Sequence, residues 1–408
     1  MSDTTAPPLQ AFLERVGVSK EVLALSIARF GDSMGNSILF VILPLFVAKL
    51  PDPALALSES LRVGVLIALF GIINAIFQPM TGVIGDRLGR SKPLILVGLV
   101  VMALGTVLFS FADRYVVLLV MRTAQGVGLA LTIPTSLSLM SRLTEKKTRG
   151  SAMGVYTTLR LIGFSLGPVL GGYLHDHFGF NAAFYAGALA IGVGFLVVLF
   201  LVHETVPETS RQKKERLRFI DTSILTPTIL SSALAIFAMA SSFTMITTLE
   251  TQINARVDQT AFAFGVVFSI LMVSRLVFQF PLGHLSDRIG RKKLIIGGLL
   301  VLAPGTALLG VAHTTGQLAV LRFIQGLGSA GVAAPALALV GDTAKQGSEG
   351  RQTSMVTMGF GLGLAFGPLV AGFLGTYDLQ LPFFVGGALL VVAAAVGSRF
   401  IVETVERR

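Results

Sequence analysis

Twelve apolar runs, each long enough to cross a bilayer, constrain this chain more than any other feature. They cover roughly 22–50, 63–84, 94–112, 115–140, 152–174, 182–202, 224–249, 261–282, 294–312, 318–341, 355–375 and 382–402. A helix needs about 20 residues to span a hydrocarbon core. Inside lipid the backbone must bond to itself, so these runs predict helices. Composition agrees: 53% of residues are hydrophobic and 13% charged, against about one quarter charged in soluble domains. The expectation is an all-α integral membrane protein of twelve transmembrane helices. The first run follows a polar segment and exceeds a signal h-region, so no cleaved signal is read. Cysteine is absent, which excludes disulfide and thiolate chemistry.

The charges fall mainly on one side. With the N-terminus inside, one set of loops collects Arg87, Arg90, Lys92, Arg142, Lys213, Lys214, Arg288, Arg291, Lys292 and Lys293, among others. The other set has only Lys49, Arg62, Arg114 and Arg256. The positive-inside bias places both termini in the cytoplasm, in a cell inner (cytoplasmic) membrane. It also accounts for the formal charge of +10 without nucleic acid as a partner. The charged stretch after the sixth run predicts a first bundle over 1–203, a cytoplasmic linker over 204–222 and a second bundle over 223–408.

The second half repeats the first. "GVIGDRLGRSKP" at 82–93 returns as "GHLSDRIGRKKL" at 283–294, and "RTAQGVG" at 122–128 as "RFIQGLG" at 322–328. "GFSLGPVLGG" at 163–172 returns as "GLAFGPLVAG" at 363–372, and "ETV" at 204–206 recurs at 403–405. A constant offset near 200 implies a duplicated six-helix unit, hence two pseudo-symmetric bundles in parallel orientation.

These motifs resemble those of the major facilitator superfamily. Gly82, Asp86, Arg87, Gly89 and Arg90 fit its loop signature between helices 2 and 3, and Gly283, Asp287, Arg288, Gly290 and Arg291 fit the second copy. Arg122, Gln125, Gly126 and Gly128 fit the helix 4 signature, with Arg322 and Gln325 as their repeat. Gly163, Gly167, Pro168, Gly171 and Gly172 fit the helix 5 signature associated with antiporters. "DSMGNSILFVILP" at 32–44 is similar to helix 1 of tetracycline-type drug–proton antiporters through Asp32, Met34, Gly35, Leu43 and Pro44; Val41 stands where a further proline is common. The resemblance implies bundles that rock around a cavity lined mainly by helices 1, 4, 7 and 10. It also implies that Asp86 faces the start of helix 11, near Thr353. Arg90 could reach Glu145, completing a conformational latch with Asp287, Arg288 and Arg291 in the second copy.

The residues themselves point to proton chemistry. Asp32 lies about 15–18 Å into the first helix, near the midplane. An aspartate there costs about 2.5–3.5 kcal/mol on insertion scales. It should therefore protonate, face a cavity, or pair with a cation. Arg29 shares its face three residues earlier; Arg122, bridged by Gln125, is the other partner, and a purely structural Asp32–Arg122 clamp is the alternative role. Glu250, near the outer end of helix 7, is the second proton-coupling candidate. Asn36, Asn74, Gln78, Arg160 and Gln279 add polarity within the membrane. "HDH" at 175–177 reads as an ordinary outer loop rather than a metal site. "GLGLAFG" at 361–367 reads as helix packing rather than a nucleotide loop. No metal cluster, phosphate loop or nucleophile set appears, so neither an enzyme nor a cofactor is expected.

The function that follows is secondary active transport, as a proton-coupled antiporter exporting amphipathic organic compounds and acting as a monomer in lipid. A uniporter or symporter of a small metabolite is the alternative, and a non-transporting receptor a third reading.

Overall fold

The computed structural model describes residues 18–50, 57–88, 90–145, 148–204, 226–343 and 349–404. Among the described residues, twelve helices are long and apolar enough to span a membrane. They are α1 (Lys20–Lys49), α2 (Glu59–Leu88), α3 (Lys92–Leu108), α4 (Tyr115–Leu143), α5 (Arg149–Phe178), α6 (Phe180–Leu201), α7 (Pro227–Thr248), α8 (Ala261–Ile289), α9 (Arg291–Ala307), α10 (Thr315–Thr343), α11 (Glu349–Leu374) and α12 (Leu381–Phe400). A short helix, Glu250–Val257, continues α7 beyond a break at Leu249. Capping fits the sequence: Ser19, Thr226 and Thr260 accept bonds from Val22, Ile229 and Ala263, satisfying first-turn donors.

Several helices outrun their apolar runs. The α2 and α8 helices carry Asp86, Arg87, Asp287 and Arg288 in their last turns, and α11 starts at Glu349, ahead of Thr353. "HDH" closes α5 and is not a loop. A hydropathy run reports the hydrocarbon thickness, whereas the helix continues until a capping residue stops it. At two such stops Gly179 (φ 82°) and Gly290 (φ 108°) adopt the left-handed side of backbone space, which favours glycine.

One helix set, α1–α6, mirrors the other, α7–α12. The two sets share one apolar cluster at the end of the molecule distal to the described chain ends, where Ile42 and Phe184 join Phe264 and Phe383. At the opposite end, which holds Val18, Glu204 and Thr404, the core divides. Leu25, Leu99 and Met140 cluster in the first set; Ile236, Leu299 and Leu339 cluster in the second. The molecule is therefore sealed at the distal end and parted at the terminal end.

Two seams make the seal. Between α2 and α11, Ser60 donates to the Gly372 carbonyl at 3.1 Å. Between α5 and α8, Ser269 donates to the Ser165 carbonyl. At the distal tip the Phe262 N–H donates to Asp176 Oδ2 at 2.9 Å. Glycines allow this approach: a Cβ on Gly265 would lie 2.7 Å from the Pro168 carbonyl carbon, closer than real contacts permit. Away from the seams, Leu104, Val120, Leu189, Phe200, Val277 and Phe280 point outward, as expected of a lipid-facing belt.

Candidate functional site

Asp32 and Arg29 sit on one face of α1, three residues apart, and form an ion pair. Asp32 is 2% exposed and Arg29 8%. One oxygen, Asp32 Oδ1, has no hydrogen-bond partner among the described residues, and neither has Arg29 Nε. The pair borders a small cavity within the first helix set, alongside Thr132, Ser136 and Tyr156. Asn36, one turn on, is buried with its carbonyl oxygen unpartnered.

Arg122 does not reach Asp32, so the alternative Asp32–Arg122 clamp is not formed. Arg122 donates to Gln125 Oε1 at 3.0 Å, and Gln125 Nε2 donates to Thr106 Oγ1 at 2.8 Å. The guanidinium also lies over the Phe70 ring, 4.8 Å from its centroid. The second set repeats the device: Arg322 to Gln325 at 2.8 Å, Gln325 to Thr306 at 2.8 Å, and Phe268 at 4.9 Å. Arg322 adds a bond to the Phe243 carbonyl on α7. Both arginines are fully buried. Each network ties helix 4 or 10 to its neighbour, which explains why Arg and Gln recur together. The sequence reading found Arg and Gln but missed Thr106 and Thr306, although "GT" recurs at 105–106 and 305–306.

Glu250 is fully buried, not wet as a helix-end residue would be. No hydrogen bond of normal geometry reaches either carboxylate oxygen among the described residues, although the Asn254 amide lies near enough to act on it. Burial pushes this carboxyl well above the usual range, the nearby Asp176 adds to the rise, and Asn254 opposes it. A raised acid binds more protons folded than unfolded. Stability contributed here is present at low pH and falls as pH climbs from about 4.3, the unfolded value, through the raised folded value. The thermal midpoint should show this downward slope in the parent protein and lose it in Glu250→Gln.

The duplicated charged motif is anchored within its own helix set. In the second copy Arg291 pairs with Asp287 at 3.1 Å and with Asp342 on α10. Glu403 accepts from the N–H groups of Arg291 and Lys292 at 2.9 and 3.2 Å. In the first copy Glu204 accepts from Ser91 and Lys92, at 2.7 and 2.8 Å, and from Arg142 at 3.0 Å. The recurring "ETV" thus supplies the carboxylate that holds the first amides of α3 and α9, where the helix dipole favours an anion. Arg90 is exposed and makes no ion pair with Glu145; Arg142 pairs instead with Glu204, and in the second copy Arg291 pairs with Asp342. Arg288 is also exposed. Gly89, the surroundings of Gly82 and the side chains of Asp86 and Arg87 lie outside the described residues. Replacing Glu403 by Gln should cost about 1–2 kcal/mol by weakening charge-assisted bonds, read as a lower thermal midpoint.

The helix 5 glycines pack α5 against α1. A Cβ on Gly163 would meet the Phe30 carbonyl at 2.5 Å, and one on Gly167 the Met34 carbonyl at 2.5 Å. Gly171 packs on Ile38, Gly172 on Ala261 and Phe262, and Pro168 against Gly265. Likewise Gly363 and Gly367 of "GLGLAFG" pack on Phe237 and Ser241 of α7. Side chains that sequence reasoning did not weigh are Tyr156, Arg275 and Phe360, which meet the midplane charges from α5, α8 and α11.

Comparison with known proteins bears on this arrangement. The family model described as Major Facilitator Superfamily matches residues 25–258 and 228–408. The chain is 27% identical over 364 residues to Multidrug resistance protein MdtG of Salmonella heidelberg (strain SL476), covering 88% of this chain and 89% of that protein. Its fold is similar to that of a bacterial homolog of the human lysosomal transporter Spinster, in an inward-facing and unoccupied conformation. There the TM-score is 0.73 at 15% identity, over 97% of this chain and 98% of that one. The nucleoside transporter NupG gives a TM-score of 0.74 at 15% identity, over 93% and 100%.

Proposed function

The chain belongs to the Major Facilitator Superfamily, a family of membrane transporters and not of enzymes, and from that premise we propose that it is a proton-coupled antiporter exporting amphipathic organic compounds. The single observation that carries the coupling is Asp32: a carboxylate at mid-depth, paired on one oxygen by Arg29 and unpartnered on the other. An acid so placed can exchange a proton when rocking changes its surroundings. The relative described as a multidrug resistance protein supports efflux of drug-like compounds.

The cycle follows from the seams. With the positively charged loops taken as cytoplasmic, the parted end faces the cytoplasm and the arrangement is the inward-open state. Substrate enters from that side. The motif at Asp86 and its repeat would latch the cytoplasmic ends once the halves close there, while the seams at Ser60–Gly372 and Ser269–Ser165 part. Asp32 takes a proton from outside and releases it inside, so proton entry drives substrate exit. Glu250 is the second proton site to consider, because it is a fully buried carboxyl with no ion-pair partner among the described residues. One polypeptide holds both bundles, so a monomer suffices.

The test is uptake of radiolabelled amphipathic compounds into inverted vesicles holding the protein, with and without a proton gradient. An antiporter accumulates substrate uphill and releases protons as substrate is added. Equilibration without proton movement would point to a uniporter. Binding with no transport at all would point to a receptor.

A further inference from the structure

Three guanidiniums converge at mid-depth and only one meets a carboxylate. Arg29 on α1 is taken by Asp32. Arg160 on α5 and Arg275 on α8 make no ion pair or hydrogen bond with any other described residue, and the Nε of each is buried without a partner. At 1.5 Å per residue Arg160 lies about 17 Å along α5, Arg275 about 21 Å along α8 and Asp32 about 18 Å along α1, each near the middle of its helix. Arg160 lies within electrostatic range of Arg29, Arg275, Tyr156 and Asp32. These charges belong to both helix sets and occupy the depth where the sealed end gives way to the parted end.

The surroundings are aromatic. The Arg160 guanidinium lies between Phe164 of its own helix, at 5.5 Å, and Phe360 of the other set, at 5.4 Å. Phe164 stacks with Phe40, and Phe360 lies 6.0 Å from Phe243. A lone buried cation is costly, and two near each other more so. Here neither Arg160 nor Arg275 is paired with a carboxylate among the described residues, and both side chains are only partly buried, on helices α5 and α8 that form a seam between the two sets.

We propose that Arg160 and Arg275 receive the anionic group of the transported compound, so that the preferred substrates are organic anions with a flat apolar body, the body resting against Phe164 and Phe360. A guanidinium pair offers planar donors suited to carboxylate, phosphonate or sulfonate, and the rings supply apolar area without polar atoms to satisfy. The inference narrows the substrate class of the transport reading and rests on it for the word substrate, although binding is testable alone. One consequence concerns charge. Exchange of a monoanion outward for a proton inward carries two positive charges inward, so membrane potential alone should drive it.

The experiment uses the full chain in lipid nanodiscs and three tritiated probes that differ in charge: 2-naphthoate, naphthalene-2-methanol and 2-naphthylmethylamine. Equilibrium dialysis is run against protein-free nanodiscs. The carboxylate should bind at least about tenfold tighter than the alcohol, with the amine weakest. Arg160→Gln and Arg275→Gln should each erase most of that ratio while leaving alcohol binding unchanged, and Arg275→Lys should retain part of it. A purely structural arginine would lower the thermal midpoint when replaced; here Arg275→Gln in ligand-free protein should hold or raise it, because repulsion is relieved. A carboxylate-to-alcohol ratio near one, absence of carboxylate binding, or a ratio that survives both glutamine variants would overturn the proposal. Should the carboxylate preference stand while a proton gradient fails to drive uptake, the antiport reading alone falls. Should proton-driven efflux of neutral or cationic compounds stand with no carboxylate preference, this inference alone falls.

Discussion

In inverted vesicles energised by a proton gradient, Asp32→Asn should accumulate substrate to a ratio of about one, the limit for a carrier that still exchanges but no longer couples. The amide keeps the size of the carboxylate and removes its titration. Parent protein should concentrate the same compound well above that ratio. The variant also leaves Arg29 without its counter-ion, and a buried cation stripped of its partner is destabilising by roughly 3–5 kcal/mol. The thermal midpoint must therefore be measured beside transport. Arg29→Gln with Asp32→Asn restores neutrality and should recover stability without recovering uphill transport. Full uphill accumulation by Asp32→Asn would remove Asp32 from the coupling step and leave Glu250 as the acid to test.

Gly167→Leu should have the largest structural effect. A Cβ at this position already collides with Ser37 Oγ and lies 2.5 Å from the Met34 carbonyl. The Met34 oxygen is helix backbone and cannot rotate aside, so α1 and α5 must separate. Overpacking of a well-filled contact costs about 1–3 kcal/mol, occasionally more; here the separation would also pull α1 and its Arg29–Asp32 pair away from Tyr156 on α5. Size-exclusion profiles should show loss of monodisperse protein. Gly154→Leu on the same helix is the control, since nothing lies within 4 Å of its Cβ position, and it should be tolerated. Equal behaviour of the two variants would refute the packing account.

What could be read from sequence and what could not divide along physical lines. Apolar run length, charge placement and a repeat at constant offset are local or periodic signals. Lipid forces every backbone group to pair within its own segment, so twelve runs could become little other than twelve helices. The charged motif copies and the helix 5 glycines were legible for the same reason, and so was the Arg–Gln pairing three residues apart on one helical face. Partner choice was not legible. Asp32 could have met Arg29 or Arg122; the structure gives it Arg29, one turn back on α1, while Gln125 and the Phe70 ring hold Arg122. Glu250 stands near the outer end of helix 7 in the sequence, where exposure to water is the ordinary outcome, yet the sealed end buries it. The "ETV" repeat showed as a recurrence without a purpose until Glu204 and Glu403 were found on the first amides of α3 and α9. Arg160 and Arg275 stand 115 residues apart in sequence. No period or motif joins them; they come within electrostatic range because α5 and α8 form a seam between the halves. Sequence by itself determined the solvent, the helices and their duplication, since these follow from the medium and from local geometry. Tertiary structure decided which buried charges are paired, because electrostatics at the midplane depends on distances that only helix packing sets.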